Sequence, residues 1–158
     1  MGGICGYSKY DANSQKTSIE NCYFTGKVSG TGGVGGICGD GYVTIDNCYN
    51  LGEVSGNGEI GGICGASKLN SSVRNCYNMG NVIGMLSDIG GICGISMGEI
   101  KKCYNTGVIS GREYNVGGIC GSDGSEGSIN AITRAASAER SMWAESADTA
   151  AILNAISR

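Results

Sequence analysis

Five copies of Gly-Gly-Ile-Cys-Gly, at residues 2–6, 35–39, 61–65, 90–94 and 117–121, divide this chain into units of nearly constant length. Their cysteines stand 33, 26, 29 and 27 residues apart. Four Cys-Tyr pairs alternate with them, and the cysteines of those pairs are 26, 28 and 27 residues apart. A period of about 20–50 residues marks an architecture of stacked units, each unable to bury its apolar face alone.

The composition of a unit decides between helices and strands. Val, Ile, Tyr and Thr occur in short alternating runs such as Tyr42-Val43-Thr44-Ile45, bounded by Gly, Asn, Asp and Ser. These are strand and turn signals; the three- and four-residue apolar spacing of an amphipathic helix is missing. Each unit offers about three short strands, illustrated by residues 34–38, 43–49 and 53–55. Three strands and three turns per unit predict one rung of a parallel β-solenoid, with about five rungs in all. The 30 glycines serve tight corners and close backbone approach. The complete lack of proline keeps every ladder donor in place. A two-sheet sandwich is the rival, but it does not call for the same residue at the same place in every unit.

Stacking predicts ladders. One is Cys5, Cys38, Cys64, Cys93 and Cys120; another is Cys22, Cys48, Cys76 and Cys103; beside it runs Tyr23, Tyr49, Tyr77 and Tyr104. Asn21, Asn47 and Asn75 precede Cys-Tyr and are expected to form an amide ladder, which Lys102 interrupts or turns to solvent in the fourth unit. A second series, Asn50, Asn78 and Asn105, with Phe24 at the first-unit place, is read as turn chemistry. The polar stretch of residues 7–16 makes the first unit the longest and predicts a loop thrown out from a corner.

The character of the chain changes after Gly121. The unit series is assigned to residues 1–127 and a closing segment to residues 128–158. Residues 129–133 suit one last strand, and the tail beyond is rich in Ala, Ser and Glu with apolar residues at helical spacing. A short α-helical cap placing Trp143, Leu153 and Ile156 over the last rung is expected there, because an open sheet edge invites pairing with other chains. The fold class is therefore all-β, a parallel β-solenoid with a helical cap.

Asn-Cys-Tyr-Asn-x-Gly-x-Val, residues 47–54, together with Gly-Gly-Ile-Cys-Gly, resembles the GLUG-motif repeats. These occur in bacterial cell-surface proteins and in non-catalytic N-terminal parts of IgA-specific metalloendopeptidases. The likeness runs from Gly2 to about Gly121, with Ile-Cys where the family usually has Leu-Val. The tail also looks like the segment that closes such repeats, through Glu139, Met142-Trp143 and Leu153-Asn154. The resemblance implies an extracellular or cell-surface setting and brings no catalytic residues. The His-Glu-x-x-His motif of the peptidases is absent.

Several functions are disfavoured by the residues themselves. A net charge of −3 offers no basic stripe for nucleic acid, and no apolar run is long enough to insert in a membrane. With no histidine and no Cys-x-x-Cys, a zinc or redox site has little support and no cofactor is expected, and the usual nucleophile–histidine arrangements are not available. Stacked cysteines hold their Cβ vectors parallel, which is poor for a disulfide torsion. Free, buried thiols acting as small hydrophobes are the preferred reading, with bonds between the two ladders left open. The N-terminus lacks the regions of a signal peptide and enters directly into a repeat, as the cut edge of a longer protein would; a leaderless natural start is the alternative. The expected role is a non-catalytic structural or display module in an adhesin-like protein, contacting host protein or glycan. A carbohydrate-binding or carbohydrate-active β-helix and a self-associating fibre unit are the alternatives.

Overall fold

A computed structural model describes residues 1–10, 16–124 and 129–133. The chain winds into a parallel β-solenoid with three faces. Cys5–Ser8, Cys38–Gly41, Cys64–Ser67, Cys93–Ser96 and Cys120–Asp123 stack in that order on the first face. The second face begins with Thr17–Glu20 and Tyr23–Phe24, then Val43–Asp46 and Tyr49–Asn50, then Ser72–Arg74 and Tyr77–Asn78. It continues through Glu99–Asn105 and ends on Ile129–Thr133, which supplies the last strand expected there. The third face stacks Lys27–Gly35, Glu53–Gly61, Val82–Gly84 with Ile89–Gly90, and Ile109–Gly111 with Val116–Gly117. Every strand pairing among the described residues is parallel, as on Cys38↔Cys64, Ile45↔Val73 and Val54↔Val82.

The solenoid has about four turns, where counting signatures suggested about five. Each Gly-Gly-Ile-Cys-Gly opens a turn, and the fifth opens one for which no third-face strand lies among the described residues. No helix occurs among the described residues. The expected helical cap, with Trp143, Leu153 and Ile156, lies outside them, as do residues 11–15 of the first-unit loop. Of that loop, Tyr10 is described, and its ring meets Tyr42 at 5.1 Å.

The signature that marks the repeat is a corner and not the continuous strand that residues 34–38 suggested. Gly61 ends a third-face strand, and Cys64 begins the next on the first face. The chain folds so tightly between them that a Cβ on Gly61 would stand 2.0 Å from the Cys64 carbonyl oxygen. A second corner divides the second face at Asn21, Asn47, Asn75 and Lys102, all left-handed with φ of 55°, 52°, 51° and 51°. Asparagine tolerates that conformation better than most residues.

Two apolar columns fill the solenoid. The larger holds Ile37, Ile63, Ile92 and Ile119, the buried cysteines of both series, and Ile45, Val73 and Ile100. The smaller is lined by Val28, Val34, Val54, Ile60, Val82, Ile89 and Ile109. They are separate because first-face and third-face backbones touch between them. A Cβ on Gly65 would stand 2.4 Å from the amide nitrogen of Val34.

Candidate functional site: the side-chain ladders

Alternation along a strand places successive side chains on opposite faces. Around Cys48-Tyr49-Asn50 this sends Cys48 and Asn50 inward, both with no exposed surface, and Tyr49 outward. Repeated through the turns, the alternation builds thiol, phenol and carboxamide columns side by side.

The carboxamide column is the one drawn from Asn50, Asn78 and Asn105, all buried. Asn78 uses all of its hydrogen-bonding capacity. Its Nδ2 donates to the Gly80 carbonyl at 2.9 Å and to Asn105 Oδ1 at 2.8 Å. Its Oδ1 accepts from the Gly80 amide at 3.2 Å and from Asn50 Nδ2 at 2.7 Å. Asn50 binds Gly52 in the same way, at 3.0 and 2.9 Å. A buried polar group is tolerated when its partners are complete and is costly otherwise. Phe24 holds the first-turn place of this column, in register with Asn50. The sequence signal for the column was Asn-x-Gly one residue after each outward Tyr, a spacing that puts Asn two positions from the inward Cys.

Asn21, Asn47 and Asn75 stand at the exposed corner. Asn47 Nδ2 donates to Asn21 Oδ1 at 2.6 Å, whereas Asn75 Nδ2 donates to Asp46 Oδ1 at 2.7 Å. That column therefore holds one amide–amide bond, and Lys102 follows at its exposed end.

The four tyrosines stack face to face. Ring centroids lie 5.2, 4.8 and 5.1 Å apart from Tyr23 through Tyr49 and Tyr77 to Tyr104, with interplanar angles of 8°, 2° and 8°. Both flat faces of Tyr49 and Tyr77 are occupied by neighbouring rings, so these two present edges and hydroxyls to solvent.

All nine cysteines are free thiols; Cys5 and Cys22, in the first turn, are half-buried and the other seven are buried. Cys5, Cys38, Cys64, Cys93 and Cys120 pair in strict register. Cys22, Cys48, Cys76 and Cys103 follow one another through bonds from the Tyr49, Tyr77 and Tyr104 amides to the preceding turn's cysteine carbonyls, each 3.1 Å. In the second column each thiol donates to the carbonyl two residues back, Cys22 to Glu20 at 3.2 Å, Cys48 to Asp46 at 3.3 Å and Cys76 to Arg74 at 2.9 Å. The hydrogen bond to Cys103 and then burial push the Cys76 thiol up to about 12. Burial, and after it the Asp123 charge, pushes Cys120 up to about 12. Cys38 and Cys48 are also raised, first by their bonds to Cys64 and Cys76. Cys103 goes the other way, lowered by its bond with Cys76. Thiols so raised are protonated at neutral pH and poor nucleophiles. Among the described residues no three metal-ligating side chains gather around one point.

Trp143, Leu153 and Ile156 cannot be placed relative to these columns, since they lie outside the described residues. No described helix is long and apolar enough to cross a membrane.

Residues 1–29, the first turn and the entry to its third face, match the family model described as the GLUG motif. No curated protein and no solved structure matches the chain.

Proposed function

We propose that this GLUG-repeat chain works as a non-catalytic structural and display module of a larger extracellular protein, adhesin-like and anchored at a bacterial surface. The observation that carries the reading is the contrast between inward and outward positions. Inward places repeat the same residue turn after turn, as in the thiol, isoleucine and carboxamide columns. Outward places other than the self-stacking tyrosines and the left-handed Asn corner change: Glu20, Asp46, Arg74 and Lys101 succeed one another at one, and Lys27, Glu53, Asn81 and Val108 at another. Repetition thus follows what the stack needs, and the exposed surface is free to differ, which is how solenoids carry binding surfaces on an invariant frame.

The stacking weighs against an extended sugar-binding platform along the column, because an aromatic ring holding a glycan must offer its flat face and those of Tyr49 and Tyr77 are covered. Host protein or glycan contact through the variable positions is the display role that remains. Retention on arrays of host glycans and extracellular-matrix proteins tests it: binding abolished by changing Leu51 and Met79, exposed side chains that follow the paired Asn50 and Asn78, or another outward pair, supports display. A solenoid that binds nothing there but releases hydrolysed product from a glycan would overturn the non-catalytic reading.

A further inference from the structure

We propose that the two thiol columns form two-coordinate sites for a soft divalent cation of the mercury(II) type, each ion held between successive cysteines of one column. The role is independent of surface display.

The geometry comes from the register. Successive cysteines of the first column are direct strand partners, Cys5↔Cys38, Cys38↔Cys64, Cys64↔Cys93 and Cys93↔Cys120. Their side chains leave parallel strands about 4.8 Å apart. Parallel Cβ vectors suit a disulfide poorly, but they suit a linear bridge in which one ion sits midway between two sulfurs. Taking the zinc–thiolate bond of about 2.3 Å as the scale, two collinear bonds span about 4.6 Å. The stacking distance of the fold is therefore close to the span of a linear dithiolate.

Coordination number and charge select the ion. Since no three metal-ligating side chains converge among the described residues, tetrahedral zinc and iron–sulfur clusters lack their ligand sets. Thiolate ligands favour soft ions. The columns lie in an apolar cluster with Ile37, Ile63, Ile92 and Val73, where an uncompensated charge is expensive. Two thiols take up a divalent ion and release two protons, leaving a neutral bis-thiolate; a monovalent ion in the same place leaves a buried anion. Linear two-coordination with charge +2 describes mercury(II). Entry is at the first turn, where Cys5 and Cys22 are half-buried while the remaining seven are buried.

Pairing along a column makes a parity rule. Five thiols in the first column hold two ions and four in the second hold two, so the reduced protein binds four. Cys64→Ala leaves Cys5 beside Cys38 and Cys93 beside Cys120, and all four ions remain. Cys38→Ala isolates Cys5 and leaves three. Cys93→Ala, which isolates Cys120, also leaves three, and Cys120→Ala leaves four, so a variant that fails to fold is replaced by its counterpart. Cys5→Ser with Cys22→Ser leaves three.

The test is titration of the reduced, whole chain with mercury(II) under anaerobic conditions. Ions are counted by native mass spectrometry and the fold is followed by far-ultraviolet circular dichroism. Expected are four ions, two protons released per ion, an unchanged strand spectrum, and the four-against-three contrast between Cys64→Ala and Cys38→Ala. Equal counts in those two variants overturn the proposal. So does uptake that proceeds only as the strand spectrum is lost, or uptake that vanishes when Cys5 and Cys22 alone are replaced.

Discussion

The carboxamide of Asn78 lies where a side chain on Gly62 would have to go, for a Cβ on Gly62 would stand 2.4 Å from Asn78 Cγ. The same relation joins Gly36 to Asn50 and Gly91 to Asn105. The two halves of the repeat signature are thus linked: the second glycine of Gly-Gly-Ile-Cys-Gly has no room for a side chain, between the next turn's glycine carbonyl and the Asn after Cys-Tyr.

Replacing Asn78 by Asp keeps the shape and removes both donors, leaving the Gly80 carbonyl and Asn105 Oδ1 without them. A carboxylate at a site with no exposed surface also lacks a counter-charge. Asn78→Asp is expected to cost about 3–5 kcal/mol, the scale for an uncompensated buried charge, read from urea unfolding at neutral pH. The new carboxyl binds its proton more tightly in the folded than the unfolded chain. The loss should therefore shrink as the pH falls through the carboxylate range. A loss independent of pH would mean that the site is wetter than the structure shows.

Phe24 closes the carboxamide column at the first turn, its ring filling the space over Gly3 and Gly52. It packs against both apolar columns. Phe24→Ala removes that cover and is expected to cost about 2 kcal/mol, the scale for a largely buried aromatic side chain. Phe24→Asn loses the same apolar area but can donate to Asn50 Oδ1 and bind Gly26 as Asn50 binds Gly52. It should recover about 1 kcal/mol of the loss. The ordering wild type, Asn, Ala in thermal or urea midpoints checks this; Asn falling below Ala would contradict it.

Lys102 adopts φ of 51° at a corner where the three preceding turns use asparagine. It is exposed and has no packing to compensate a conformation that costs ordinary side chains about 1–2 kcal/mol. Lys102→Asn should raise stability by about 1 kcal/mol, and Asn47→Lys should lower it by a similar amount. Paired unfolding curves of the two variants, with unchanged denaturant slopes, test the corner without touching the core.

In-register parallel stacking is legible in a sequence because it demands the same residue at the same place. The cysteine and tyrosine series are visible for that reason. Periodicity alone says which residues are equivalent and leaves open which way they face. Asn47 and Asn50 share one period, yet only Asn50 is two residues from the inward Cys48, so it alone enters the core. The corner inside Gly-Gly-Ile-Cys-Gly was hidden for a related reason. Val34 and Cys38 are both buried and β-prone, and only the collision of Gly35 with the Cys38 carbonyl shows that they belong to different faces. The division into two apolar columns arises from backbone contact at Gly65, which no side-chain pattern records.

The raised thiols make the protein sensitive to alkali. Cys76 and Cys120 are pushed up to about 12 in the folded chain, against 9.0 for a free thiol. Between those limits the unfolded chain has released protons that the folded chain still holds, so the stability is whole below pH 9.0 and falls as the pH rises. Each such thiol contributes a slope of about 1.4 kcal/mol per pH unit. Cys103, whose thiol is lowered, opposes this with the reverse sign. Unfolding free energies measured across that window should therefore fall steeply. Cys120→Ala, which removes a thiol raised first by burial, should take about one proton from the slope while lowering stability at neutral pH through the lost packing. Native-state alkylation at pH 8 gives an independent reading: rapid labelling of Cys5 and Cys22, with the buried seven reacting only after unfolding. Rapid labelling of all nine would show the columns open to solvent.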